Sequence, residues 1–340
     1  MFIFEKYNPY LLRIISFMAF FKKVLTLLLI CFWNTKGIAQ ENLQVFSDYL
    51  SDNLYIAHPA AAGVGNSGKI RLSTRNKWLG VKNAPNTQTL SYHNRYEDKG
   101  AMGLILFNDE NGFFSKKGVY ATYAYHLNLA KDLRNFKQLS FGFSATFSQE
   151  QFDASIFSTM PSDNPGKDTY FNGDFGMAYH KNSFFSYLTI KNLFPTRLKK
   201  HNSESFNFRK VLLYTGYFFG DKNKIQYEPS VLAMYDSHFD RIQLDINMKA
   251  YKLLDRGHLW AAISFITFLG DDTSLESLNY LSPVIGINYL NYVFSYTYTS
   301  QLGSLDFSPE GYHQLSLGMD VFVRKPRLAA CPNINSGFFN

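Results

Sequence analysis

Between Arg241 and Ala250 the chain reads RIQLDINMKA. Ile242, Leu244, Ile246, Met248 and Ala250 alternate with Arg241, Gln243, Asp245, Asn247 and Lys249. Ten residues of period two cannot lie on one face of a helix and describe a strand with one apolar and one polar side. The pattern recurs. Leu139, Phe141, Phe143, Ala145 and Phe147 alternate with Ser140, Gly142, Ser144, Thr146 and Ser148. Near the end, Leu315, Leu317, Met319, Val321 and Val323 alternate with Ser316, Gly318, Asp320 and Phe322.

Two architectures use such strands. In a soluble sandwich the polar side meets bulk water and the apolar side a core. In a membrane barrel the apolar side meets lipid and the polar side lines a lumen. Sandwich strands usually run about 5–6 residues, whereas a tilted membrane strand needs about 9–11. The segments here are of the longer kind.

Fourteen are legible, at 68–76, 88–95, 100–108, 118–128, 138–149, 170–180, 183–191, 208–220, 224–236, 239–251, 257–269, 281–289, 291–300 and 312–323. Their connections sort by length. Long ones (77–87, 109–117, 150–169, 192–207, 270–280 and 301–311) alternate with mostly short ones (96–99, 181–182, 221–223, 252–256 and Leu290). The connection 129–137 is intermediate, and Ser237-His238 is short where a long one is due. Outer-membrane barrels pair short periplasmic turns with long outer loops and carry an even strand number. The expectation is an all-β transmembrane antiparallel barrel of about fourteen strands over 67–324, with both chain ends in the periplasm. Aromatic residues make up 17% of the chain, nearly all Tyr and Phe, which suits such a barrel.

The ends read differently. Phe21–Trp33 places two lysines before an apolar run too short to span a bilayer as a helix, and Gly37-Ile38-Ala39 is a small-x-small cleavage pattern. Residues 1–39 are expected to be a signal peptide, with Met18 an alternative start. Cys31 follows Leu28-Leu29-Ile30, but the isoleucine is too large for a lipoprotein signal. Without residues 1–39 the chain keeps 29 basic and 26 acidic side chains, so nothing in its charge points to a nucleic-acid partner. It also keeps one cysteine, Cys331, and no internal disulfide can form.

Residues 40–66 are expected to form a periplasmic or plug segment. Leu43, Phe46, Leu50 and Leu54 recur at helical steps. They lead into LYIAHPAAAGVG, from Leu54 to Gly65, whose small residues let the backbone pass close to other chain and whose Pro59 restricts it. Residues 325–340 are expected to form a mostly irregular periplasmic tail.

Candidate chemistry is sparse. Asp236-Ser237-His238-Phe239-Asp240 gathers triad-type residues, but triads assemble across space, and a hydrated turn accounts for the run. Asn108-Asp109-Glu110-Asn111-Gly112 resembles part of a calcium loop without the later glutamate, and reads as turn chemistry. His126 and His180 fall at lumen-facing positions, suited to hydrogen bonds inside a barrel. There is no phosphate-binding glycine loop and no HExxH. No cofactor or metal is expected, and no catalysis. A polar lumen of mixed sign, with Arg241, Asp245 and Lys249, leaves a porin-like diffusion channel as the alternative.

Several pieces then stand in a telling order: Ala39-Gln40, FSDYL, IAHPAAAG, a strand with Arg71, RNKWLG, an APNT turn, GAMGLILFNDENG, TYAYHL, LSFGFSA and a terminal RKPRLAACPN. This series resembles the PorP/SprF family of Bacteroidetes outer-membrane proteins, linked to type IX secretion and gliding motility. The resemblance implies a non-enzymatic outer-membrane protein that supports export or surface attachment of cargo. Its partners would be outer-membrane lipid, a secreted cargo protein with a C-terminal sorting domain, and other type IX or motility components. Carried onto this chain, the family motifs mark Pro59, Ala60, Gly63, Arg71, Trp78, Gly80, Pro85, Asn108, Asp109, Gly112, Tyr125, His126, Cys331 and Pro332 as motif or partner-contact candidates. The family's small-residue box usually has asparagine before the proline and an aromatic after it. Here those places hold His58 and alanines, and Lys77 stands where a glutamine usually precedes the tryptophan, as expected of a divergent paralogue.

Overall fold

A strand in lipid must satisfy every backbone N–H and C=O within the protein, so strands can cross only if their sheet closes. The computed structural model, which describes residues 53–65, 67–77, 84–112, 114–129, 136–152, 166–194, 196–200, 203–221, 224–237, 240–269, 279–302 and 311–323, closes it with fourteen antiparallel strands. They are β1 (Gly68–Lys77), β2 (Asn86–Tyr96), β3 (Gly100–Asn111), β4 (Phe114–Asn128), β5 (Lys137–Phe152), β6 (Gly166–Lys181), β7 (Phe184–Lys191), β10 (Lys210–Tyr217), β11 (Gln226–Asp236), β12 (Arg241–Leu254), β13 (Gly257–Leu269), β14 (Asn279–Tyr289), β15 (Tyr292–Leu302) and β16 (Tyr312–Val321). A separate hairpin, β8 (Thr196–Lys200) with β9 (Ser203–Asn207), sits between β7 and β10. Each strand pairs with its neighbours in sequence, apart from β7 with β10 across that hairpin and β1 with β16 at the closing seam. No helix among the described residues is long and apolar enough to cross a membrane.

The period-two pattern sorts the side chains as expected of a lipid-facing barrel. On β12, Gln243, Asp245, Asn247 and Lys249 are buried inside, while Ile242 and Met248 are exposed outside. On β5, Ser140, Ser144 and Ser148 are buried, while Phe143 and Phe147 are exposed. Inside, Lys249 Nζ lies 3.9 Å from the Trp260 ring centre and 4.9 Å from that of Tyr251, which compensates a buried ammonium.

Several connections differ from expectation. Residues 109–117 are not a long loop, because β3 and β4 pair until Asn111 faces Phe114 and leave two residues in the turn. Asn108, Asp109 and Glu110 are therefore strand residues, not turn or calcium-loop residues. Thr87 Oγ1 donates to Asp109 Oδ1 at 2.6 Å across the β2–β3 pair, which gives that carboxylate its use. β10 stops at Tyr217 rather than at 220, and the connection 218–225 is longer than expected. The stretch 192–207, read as a plain loop, contains the β8–β9 hairpin.

The turns 97–99, 182–183, 255–256 and 290–291 share one rim with the two ends of the barrel, whereas the short β3–β4 and β11–β12 turns lie at the opposite rim. Gly68, which opens β1, pairs with Val321, which ends β16. The strand ends Lys77 and Asn86, Phe152 and Gly166, Leu269 and Asn279, and Leu302 and Tyr312 lie at that opposite rim.

Candidate functional site

The alanine- and glycine-rich segment does not merely link into β1. Two short 3₁₀ turns, Leu54–Ile56 and Pro59–Ala61, fold it into a compact body whose residues 54–65 are all buried. It packs on the inner wall at β4, β5 and β6. Leu54, Tyr55, Ala57, Ala60, Ala61, Ala62 and Val64 share one apolar cluster with Ala101, Ala124, Ala178, Tyr187 and Tyr214 of the wall. Each fully buried large side chain in such a contact stabilises it by about 1.5–3 kcal/mol.

Small residues on both sides make the approach possible. A Cβ on Gly142 would lie 2.3 Å from the Pro59 carbonyl carbon, and one on Gly103 2.3 Å from Tyr55 Oη. In the segment itself Gly63 has φ +74° and faces Ala101, whose Cβ would be 2.3 Å from an added one. Only glycine adopts that backbone without strain and also fits that gap.

Polar wall residues meet the segment's remaining polar groups. Asn53 Nδ2 donates to Ser91 Oγ at 2.8 Å. Tyr55 Oη donates to Thr122 Oγ1 at 2.9 Å. His58 Nδ1 and Thr189 Oγ1 are 2.9 Å apart. The Gly63 N–H donates to His93 Nδ1 at 2.8 Å. His126 Nε2–H donates to the Ala62 carbonyl at 2.9 Å, while its Nδ1 meets Ser140 Oγ at 2.8 Å. Lys191 Nζ reaches the Ile56 carbonyl at 3.4 Å. A buried backbone with unmet donors and acceptors would cost about 1–3 kcal/mol per group, so this wall is matched to this segment.

Burial keeps the segment uncharged. Desolvation pushes the His58 imidazole down to about 3, and the Lys191 ammonium adds to the effect. Burial also pushes the Tyr55 phenol up, with the Thr122 hydrogen bond opposing in part. Both are neutral near pH 7.

Toward the long-loop rim the wall carries paired charges: Lys116 with Glu150 at 2.9 Å, Lys191 with Asp174 at 3.4 Å and Lys210 with Asp236 at 3.3 Å. Tyr170 Oη donates to Glu150 at 2.6 Å. On the facing wall Tyr251 Oη donates to Glu228.

Of the residues marked from sequence, Pro59, Ala60, Gly63 and His126 come together at this docked segment. Arg71 does other work. Its Nη2 lies 2.8 Å from Asp320 Oδ1 across the β1–β16 seam, where Ser67 Oγ also donates to Asp320 Oδ2 at 3.1 Å. Pro85 accepts the Lys77 N–H at 2.9 Å beside β1. Tyr125 is exposed on the outer face of β4, and Gly112 sits in the β3–β4 turn. Trp78, Gly80, Cys331 and Pro332 lie outside the described residues, as do Leu43, Phe46, Leu50 and residues 1–39. Of the triad-like run, Asp236 is held by Lys210, Ser237 Oγ donates to the Arg209 carbonyl at 2.7 Å, and Tyr235 Oη donates to Asp240 Oδ1 at 2.9 Å. His238 is outside the described residues. Among those residues no three His, Cys, Asp or Glu side chains converge as metal ligands.

Sequence reasoning missed His93, Thr122, Gly142, Tyr187 and Thr189. Gly142 was detectable in principle, as a side-chain gap in a run of lumen-facing serines. The others lie on three strands, β2, β4 and β7, and needed their register.

A family model, described as type IX secretion system membrane protein PorP/SprF, matches residues 38–319. No curated protein matches the sequence. Among solved structures the fold is similar to the CymD monoaromatic hydrocarbon channel, at 11% identity, covering 78% of this chain and 90% of that one, with TM-score 0.47. It is also similar to a bacterial polysaccharide outer membrane secretin, at 8% identity over 76% and 99% with TM-score 0.40. A third likeness is the translocator domain of autotransporter NalP from Neisseria meningitidis, at 11% identity over 76% and 88% with TM-score 0.31.

Proposed function

The chain belongs to the PorP/SprF family of type IX secretion system membrane proteins, and from that premise we propose that it is a non-enzymatic outer-membrane platform supporting export or surface attachment of specific cargo. The cargo class is a secreted protein with a C-terminal sorting domain. The partners on the membrane side are other type IX or gliding-motility components. In this reading residues 1–39 are removed on export, both ends of the mature chain lie in the periplasm, and the long connections face outward to receive cargo.

The observation that carries the reading is the occupied lumen. A diffusion channel gains from a clear, hydrated path. Here a segment of the chain itself is buried against the β2–β7 wall, with most of its polar groups matched by that wall. In this reading the barrel acts through its rims.

Mild crosslinking in native membranes followed by affinity capture tests this. Recovery of type IX components or of one large surface protein is expected. Recovery of the barrel alone, together with steady conductance of the purified protein in planar bilayers, overturns it in favour of a channel.

A further inference from the structure

Three histidines meet at the contact between the docked segment and the wall: His58 from the segment, His93 from β2 and His126 from β4. All three are buried. We propose that residues 53–65 are an acid-releasable gate, seated by these three uncharged histidines and freed when they take up protons. The proposal stands on the seat's geometry and holds whether or not the barrel handles cargo.

His93 gives the sharpest constraint. Its Nδ1 receives the Gly63 N–H, so that nitrogen must carry no proton. Protonation would set one donor against another at 2.8 Å, at the residue whose left-handed backbone turns the segment toward β1. The groups facing His93 are Lys69 and Arg71 of β1, His126 of β4 and the Tyr55 ring at 4.8 Å; Arg71 is paired with Asp320.

His58 lies against β7 and β10. It faces Thr189, Lys191 and the rings of Tyr187 and Tyr214 at 5.3 and 6.1 Å. Lys191 is itself paired with Asp174. His58 Nε2 is buried with no hydrogen-bond partner, so a proton placed there would be a charge without an acceptor.

His126 faces Arg95 of β2 and His180 of β6. It holds the Ala62 carbonyl through Nε2 and Ser140 through Nδ1. His180 is occupied by Tyr187 Oη at 2.9 Å, the same tyrosine whose ring packs on His58. A charge on any one of the three histidines therefore lies close to cations already present in a buried contact, opposed at His126 by the hydrogen bond to the Ala62 carbonyl.

The sign follows from linkage. A histidine freed into water takes a proton near pH 6.5, and one that stays neutral in the seat does not. Below about 6.5 the freed state is favoured by about tenfold per pH unit for each such histidine. His58, whose docked value is about 3, alone shifts the equilibrium by about thirtyfold between pH 7.5 and 5.

Hydrogen–deuterium exchange of the mature chain in detergent micelles, corrected for intrinsic pH dependence, tests the proposal. Peptides covering 53–65 are expected to lose protection by thirtyfold or more between pH 7.5 and 5, while β11–β16 keep theirs. His93→Gln supplies an uncharged acceptor for Gly63, and His58→Asn removes the titrating ring. His58→Asn is expected to reduce the pH slope by about thirtyfold, and His93→Gln to reduce it as well, whatever either costs in protection at pH 7.5. A merely structural role would lower protection equally at both pH values, and that result overturns the proposal. So does wild-type protection that is unchanged at pH 5. If one variant fails to fold, the slope in the other decides.

Discussion

Gly142 of β5 lies so close beneath Pro59 that a Cβ added there would stand 2.3 Å from the proline's carbonyl carbon and 2.4 Å from the nitrogen of Ala60. The obstacle is backbone on both sides, so no side-chain rotation relieves it. Gly142→Val is expected to unseat the segment at a cost of about 1–3 kcal/mol, while the barrel still closes. Conductance in planar bilayers should rise in Gly142→Val and stay at the wild-type level in Ala145→Val, which adds two methyl groups on the outward face of β5.

The closing seam makes a second prediction. Arg71 and Asp320 join β1 to β16 with side chains 7% and 19% exposed. Removing one partner leaves the other's charge poorly solvated, so Arg71→Ala should destabilise the barrel by about 2–4 kcal/mol. Arg71→Ala with Asp320→Ala should cost less than Arg71→Ala alone. Urea midpoints of the refolded protein in lipid read both. A double variant weaker than the single one would show that the pair is not held by mutual neutralisation.

Depth along the strand gives the third. Leu317 of β16 and Phe322 just past it are 54% and 69% exposed, yet one is mid-strand and the other at the short-turn rim. Leu317→Arg should cost about 2–4 kcal/mol in bilayer refolding and Phe322→Arg about 0–1 kcal/mol. Equal costs would contradict the lipid-facing assignment.

Tyr55 provides a pH test at the other extreme from the histidines. Tyr55→Phe removes the hydrogen bond to Thr122 and should weaken docking by about 1 kcal/mol. In the wild type the docked phenol is held neutral above its ordinary value by burial. The undocked phenol ionises near pH 10, so docking should weaken by about tenfold per pH unit above about 10, and Tyr55→Phe should abolish that loss. Amide exchange of residues 53–65 reads it. A profile flat to pH 11 in the wild type would mean that the phenol is solvated.

The strands were legible because a single physical demand, lipid on one side and a polar lumen on the other, writes itself at period two. Arg241–Ala250 shows it in one line of sequence. The strand ends were less legible. Asn108, Asp109 and Glu110 are turn formers by composition, but cross-strand partners on β2 and β4 hold them in β3 beyond the apolar band. The docked segment was half legible. Its small residues announced a close approach, and His126 announced a lumen hydrogen bond. What they approach is set by Gly142, His93 and Thr189, which lie on three different strands, and no local pattern encodes that convergence.

Strand order also has a consequence for assembly. The side chains that receive residues 53–65 come from β2 to β7 and β10, a contiguous run in the wall. Every pairing in that run joins strands that are neighbours in sequence or are separated by one hairpin, so its loop-closure entropy is low. The β1–β16 contact instead spans the whole barrel. A chain that zips from its N-terminal hairpins thus completes the seat while the cylinder is still an open sheet. Residues 53–65 have somewhere to dock before there is a lumen, and the last ladder closes around an interior already furnished.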